Sequence, residues 1–256
     1  QKMQQETIFF YHLPKTAGQT MTHILRQNYA PDEMLGHGLD THAFVAEFLQ
    51  WPAEKRNKIK LMHGHFPFGL HDELPQKTGC FTMLRHPVER TISYYFHAKR
   101  QKQHYLHDLI HDNSWDLRAL LDSGLALMMN DAQVRLLSGV WGEPGFGEVD
   151  ESMLETAVNN LHRCEVVGLT EAFDETLLLL QPKNVGPNRV AQREMPPETI
   201  ATIQQCNQLD AHLYAEAEKL LQAKIRAAGV QFRLKTAVFQ LKQRLRQSPL
   251  SRRLNI

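Results

Sequence analysis

The sequence predicts an α/β fold in three layers, a central parallel sheet flanked by helices, with helical insertions and a basic helix at the C-terminal end. Short apolar runs alternate with helical periodicities through the N-terminal half, which is the order that builds a parallel sheet covered by helices. The runs themselves are nearly continuous in apolar character, as strands buried on both faces are. A turn containing Gly18 lies between the first run and the first helical segment, where a strand-to-helix loop can hold an anion.

Thr7-Ile8-Phe9-Phe10-Tyr11-His12-Leu13 reads as the first buried strand, ending at Pro14. A helix-like segment follows from Gln19 to Tyr29. Lys60-Leu61-Met62-His63 reads as a second strand and Gly79-Cys80-Phe81-Thr82-Met83-Leu84 as a third. Pro87 fits the first turn of a helix carrying Val88, Ile92, Tyr95 and Phe96. Cys164-Glu165-Val166-Val167-Gly168-Leu169 is a fourth strand, followed by a helix with Phe173 and Leu177 to Leu180. Residues 105–163 read as helical apart from the turn Gly142 to Gly147, and Pro196 to Lys224 as one long helical pattern. Leu234, Val238, Leu241 and Leu245 recur at i, i+4, i+7 and i+11, a further amphipathic helix. With no internal repeat and no linker rich in Gly, Pro or Ser, residues 1–228 are expected to form one domain. Residues 229–256 are expected to form a basic amphipathic tail on it.

Composition narrows the class. The 256 residues are 42% apolar and 22% charged, too apolar for a disordered chain. No uncharged apolar run approaches the roughly 18 residues of a membrane span. The first ten residues carry no apolar core of a signal peptide, and the chain contains no N-x-S/T sequon. Cys80, Cys164 and Cys206 are odd in number and far apart, which suits neither a disulfide framework nor a zinc spacing. A reducing, cytoplasmic compartment is therefore expected. The net charge of +1 hides an asymmetry: after Glu218 there is no Asp or Glu, while ten Lys and Arg follow. Residues 1–218 thus hold 19 cations against 28 anions. A cationic end on an acidic body suggests an anionic partner there, against the plainer alternative of a solvated helix face.

Three segments carry chemistry. In Leu13-Pro14-Lys15-Thr16-Ala17-Gly18-Gln19-Thr20, backbone N–H groups and a helix N-terminus can hold a phosphate-like anion, with Lys15 adding charge and Thr16 and Thr20 hydroxyls. The lysine precedes the glycine, so this is not the G-x-x-x-x-G-K-[ST] loop of nucleoside-triphosphate enzymes. In Leu84-Arg85-His86-Pro87-Val88-Glu89-Arg90-Thr91-Ile92-Ser93, Arg85 stands at a strand end and Ser93 about two helical turns on. Together they can hold a second phosphate, although an arginine at a helix start can equally pair with a neighbouring carboxylate. The third segment, His63-Gly64-His65, sets two imidazoles on one face of an extended chain. Either can act as a general base on a hydroxyl. As a metal site the pair lacks a third ligand at a defined spacing, and packing histidines are common in a chain with 14 of them.

Taken together, the segments resemble sulfotransferases that use 3′-phosphoadenosine 5′-phosphosulfate (PAPS), in particular the carbohydrate branch related to the heparan sulfate 2-O- and uronyl 2-O-sulfotransferases. Pro14 to Thr20 is similar to that family's P-K-T-[AG]-x-[ST] loop, Leu84 to Ser93 to its L-R-[DH]-P-x-x-R-x-x-S segment, and His63-Gly64-His65 to the 2-O branch's H-G-H. The similarity continues through Asn130 to Gly139, Val167 to Glu175 and Leu209 to Tyr214, and so spans about residues 6–222.

The resemblance implies a bacterial-type member with a P-loop-like fold that moves a sulfuryl group from PAPS to a hydroxyl of a carbohydrate or glycoconjugate, without a metal. It assigns Lys15 to the bridging oxygen of the phosphosulfate, Thr16, Ala17, Gly18, Gln19 and Thr20 to the 5′-phosphate, and Arg85 and Ser93 to the 3′-phosphate. His65 is the expected general base, with His63 as second candidate, and Arg189 is a further nucleotide contact. The expected acceptor is a glycan, a glycolipid or a small hydroxylated molecule. No nucleic-acid partner is expected, and the tail could rest on an anionic membrane surface. A small-molecule kinase and a non-catalytic binder of anionic glycans are the rival readings of the same residues.

Overall fold

The computed structural model describes residues 7–36, 41–66, 68–75, 78–140, 144–180 and 195–247. In chain order the elements are β1 (Thr7–Tyr11), α1 (Gly18–Arg26), β2 (Met34–Gly36), α2 (Thr41–Leu49), α3 (Ala53–Arg56), β3 (Leu61–Gly64), β4 (Thr78–Leu84) and α4 (Pro87–Arg100). They continue as α5 (His107–Asp112), α6 (Leu117–Asp122), α7 (Ala132–Leu137), α8 (Glu151–Arg163), β5 (Val166–Leu169), α9 (Phe173–Leu180), α10 (Pro197–Gln205), α11 (Gln208–Ala227) and α12 (Gly229–Gln247). The five strands pair in parallel in the order β2-β3-β1-β4-β5.

β1 sits at the centre because both of its faces are apolar. The consecutive Phe9 and Phe10 are each fully buried, which only a sheet covered on two sides allows. Phe10 packs with Met21, Ile24 and Leu25 of α1 and with Phe173 and Leu177 of α9. Phe9 and Tyr11 face the other layer, with Met62, Phe48 of α2, Phe66 and Leu70.

The expected α/β class and all four expected strands are present, with shifted boundaries. β1 stops at Tyr11, two residues short of Leu13, because the ladder's last rung is His12 N–H to the Gly64 carbonyl at 2.9 Å and the chain then leaves the sheet. The edge strand β2 has three residues, too few to show a period, and no sequence pattern marks it. The helical pattern from Pro196 to Lys224 breaks at Cys206-Asn207. There the buried Asn207 amide donates to the carbonyls of Met129 and Ile203, which a continuous helix could not arrange. The described residues of 105–163 form three helices of six residues and the thirteen-residue α8, and the Gly142–Gly147 turn lies partly outside the described residues. Cys80 and Cys164, distant in sequence, bring their sulfurs to 3.6 Å because β4 and β5 are neighbours; both are free thiols. Gly229, at φ +77°, turns the chain from α11 into α12, which packs on α9 and α11.

Candidate anion-binding and catalytic cleft

Strand order alone gathers the three chemical segments. β3, β1 and β4 are adjacent and parallel, with Tyr11 level with Gly64 on one side and Thr82 on the other. Their carboxyl ends therefore release His65, the Pro14–Ala17 turn and Arg85 side by side. This is the edge at which the chain reverses its winding direction, and open α/β sheets bind ligands there.

The turn after β1 is held in an unusual backbone form. Lys15 at φ +71° and Ala17 at φ +64° both occupy the left-handed region without being glycine. Each such residue costs about 1–2 kcal/mol. Left-handed residues in a turn curl successive N–H groups into a concavity suited to an anion. Ala17 caps α1, whose first bond is Met21 N–H to the Ala17 carbonyl at 3.1 Å. Thr16 is fully buried and its hydroxyl donates to the Leu13 carbonyl at 2.9 Å, so it faces inward and fixes the turn. Gly18 has no room for a side chain: a Cβ there would stand 1.8 Å from Cδ2 of His12. Gln19 is exposed and Thr20 half-buried on the first turn of α1.

Arg85 joins this turn to the segment after β4. The residue is 5% exposed; Nη1 donates to the Lys15 carbonyl at 3.3 Å and Nη2 to Oε2 of Glu89 at 3.4 Å. Gln133 of α7 brackets the Arg85 backbone, accepting its N–H and donating to its carbonyl, each at 3.0 Å. The next N–H, of His86, donates to Glu171 at 3.0 Å, and Glu171 also accepts from the Tyr214 hydroxyl at 3.1 Å.

The charge around the turn is predominantly positive. Burial pushes the Lys15 ammonium below the usual lysine range, and the charges of Arg100 and Arg85 push it further down. His97 and His104 are likewise held below the usual histidine range, by burial first and by the Lys15 charge next. Glu89 and Glu171 are the carboxylates that act on Arg85. A group of cations that depress one another is one that an anion would relieve. Ser93 stands half-buried on α4, and His97 and Arg100 follow it at i+4 and i+7, on the same face of the helix. The sequence reading missed both. Their spacing from Ser93 was the available signal, but α4 was read for its apolar stripe.

On the β3 side lies a cleft of about 420 Å³ between α1 and the strand ends, lined by His12, Gln19, Thr22, His23, Arg26, His63, Gly64 and His65. His63 and His65 thus reach one cleft, but they are held differently. His63 is buried with its ring against Gly36, where a Cβ would meet it at 2.8 Å. His65 is half-buried, and its Nδ1 bonds the His12 carbonyl while the two rings lie 4.5 Å apart. A carbonyl only accepts, so Nδ1 carries the hydrogen, and in the neutral ring Nε2 holds the lone pair. No group of three or more His, Cys, Asp or Glu among the described residues is arranged to hold a metal ion. Arg189 and the turn around it lie outside the described residues.

Compared with models of protein families, residues 3–215 match the one described as the sulfotransferase family. No curated protein matches the chain.

Proposed function

The chain belongs to the sulfotransferase family, and from that premise we propose that it transfers the sulfuryl group of PAPS to a hydroxyl of a carbohydrate or glycoconjugate. One contact carries the choice of donor: the Arg85 guanidinium on the Lys15 carbonyl at 3.3 Å, which ties two separate cationic segments into one surface. PAPS bears an anionic phosphosulfate at one end of its ribose and a phosphate at the 3′ position, and so needs two such segments. A nucleoside triphosphate needs only the first.

Lys15 then faces the oxygen that bridges sulfur and phosphate, where negative charge develops as the donor departs. The backbone N–H groups from Thr16 to Thr20 surround the 5′-phosphate, Arg85 and Ser93 hold the 3′-phosphate, and Arg189 is a further contact. The acceptor sits in the histidine cleft, where Gln19, Thr22 and Arg26 offer polar groups of the kind that hold a sugar. As the acceptor oxygen bonds to sulfur, the sulfur–oxygen bond to the 5′-phosphate breaks and the hydroxyl proton passes to Nε2 of His65. His63, buried on β3, is the second candidate for the base or a partner that orients the acceptor. We place the protein with the 2-O branch on its H-G-H segment, and in the cytoplasm.

Calorimetric titration with 3′-phosphoadenosine 5′-phosphate, with ADP as control, tests the proposal. Binding should require the 3′-phosphate and weaken by roughly 1.5–3 kcal/mol or more in Arg85→Ala. Equal binding of ADP would overturn the donor assignment.

A further inference from the structure

Helix α12 has two unlike faces. On the inner one Thr236 is buried, Phe232 and Phe239 are half-buried, and the Gln240 amide donates to Glu175 of α9 at 3.1 Å. On the outer one Val230, Leu234, Val238 and Leu241 are 63%, 62%, 51% and 56% exposed. These four are half of the large apolar side chains exposed among the described residues, so the exposure is concentrated here and not scattered. At about 100° per residue they fall within an arc of about 80°, opposite the packed face. Arg233 and Lys235, both exposed, fall on the two borders of that arc.

We propose that this face docks on an anionic lipid bilayer, with α12 lying in the interface, its aliphatic stripe at the acyl boundary and its cations among the headgroups. Charge selects this occupant. Ten Lys and Arg and no Asp or Glu follow Glu218, while residues 1–218 hold 28 anions against 19 cations. A second copy meeting this face across a two-fold axis would oppose one cationic stretch with another. An anionic bilayer offers an apolar layer and a negative surface together, and repels the acidic body so that α12 faces the lipid. The proposal stands independently of the transfer reaction.

The full chain is floated with vesicles of phosphatidylcholine alone and of equal parts phosphatidylcholine and phosphatidylglycerol, alongside Leu234→Gln/Val238→Gln and Arg233→Gln/Lys235→Gln variants. All four substitutions fall on exposed positions, and matching thermal unfolding of each variant shows that the body is intact. The expected result is flotation with the mixed vesicles only, reduced by raised salt and by roughly tenfold or more in each variant. Absence of wild-type flotation overturns the proposal and leaves a solvated face. Flotation unaffected by the stripe variant overturns it in favour of charge-only adsorption. A lipid-free dimer that the stripe variant dissociates overturns it in favour of self-association.

Discussion

A neutral imidazole can take a proton only at the ring nitrogen that lacks a hydrogen, and one backbone carbonyl makes that choice for His65. The carbonyl belongs to His12, whose ring lies over Gly18, so in the proposed reaction the turn that would receive the anion and the residue that would act as base are fixed through one residue. The two functions meet through atoms that sequence inspection passes over: a main-chain oxygen and an absent Cβ. His65→Ala should lower turnover by about 10²–10⁴-fold, the usual contribution of a general base, while affinity for 3′-phosphoadenosine 5′-phosphate stays at the wild-type value. His63→Ala, which empties a buried site in the cleft wall, should lower thermal stability and weaken acceptor binding, without the loss of turnover expected of His65→Ala. Single-turnover rates and calorimetry on the two variants separate these effects, and equal turnover of His65→Ala and wild type would remove His65 from the chemistry.

At the scale of elements, the sequence showed the positions that motifs mark and hid those that helix geometry supplies. Arg85, Ser93 and Lys15 were legible as candidates because strand ends and their spacing are local. Arg100 and His97 were not, because a helix read for Val88, Ile92, Tyr95 and Phe96 gives no reason to inspect its opposite side. The segment from Asn130 to Gly139 was legible only as a resemblance; its physical task is that Gln133 fastens both backbone groups of Arg85. α4 also yields a pH dependence. In the free protein His97 and His104 sit below the usual histidine range, through burial and then the Lys15 charge. An anion on Lys15 offsets that charge and lets both values rise, so the complex holds more protons than the free protein. Binding should therefore strengthen as pH falls through the histidine range, with proton uptake that disappears on the alkaline side. Titrations of 3′-phosphoadenosine 5′-phosphate in buffers of different ionisation heat measure the uptake. It should fall in a His97→Gln/His104→Gln variant, and an unchanged proton count there would exclude these two residues as its source.

Across the whole molecule, the Arg85 turn rests on a buried polar cluster that joins α4, α7 and α11. Asp210 is fully buried, accepts from the Val134 N–H at 2.8 Å and from Gln133, and lies 3.9 Å from the equally buried Arg90. Asp131, at φ +41° before α7, accepts the Asp210 N–H at 2.8 Å, and its own N–H donates to Asn207 at 3.1 Å. Residues some eighty positions apart thus close one site, and a single sequence shows both stretches without showing that they meet. The same cluster ties stability to pH. Burial and then the Asp210 charge raise the Asp131 carboxyl from 3.8 to about 7, and burial raises Asp210 as well. An acid whose value rises on folding binds more protons folded than unfolded between its two values. Its contribution to stability is thus full below about pH 4 and lost as pH climbs through about 7. Asp131→Asn cannot ionise, yet its side-chain oxygen can still accept the Asp210 N–H, so the geometry survives while this proton linkage goes. The difference in unfolding midpoint between variant and wild type should therefore shift toward the variant as pH rises from about 5 to about 8. Asp210 and Arg90 are present in both proteins, and because Asp210 is coupled to Asp131, the difference reports the titration of Asp131 together with the change it makes in Asp210. Parallel midpoint curves across that range would mean that Asp131 ionises alike in the folded and unfolded chain, and the cluster would then join the helices without setting their response to pH.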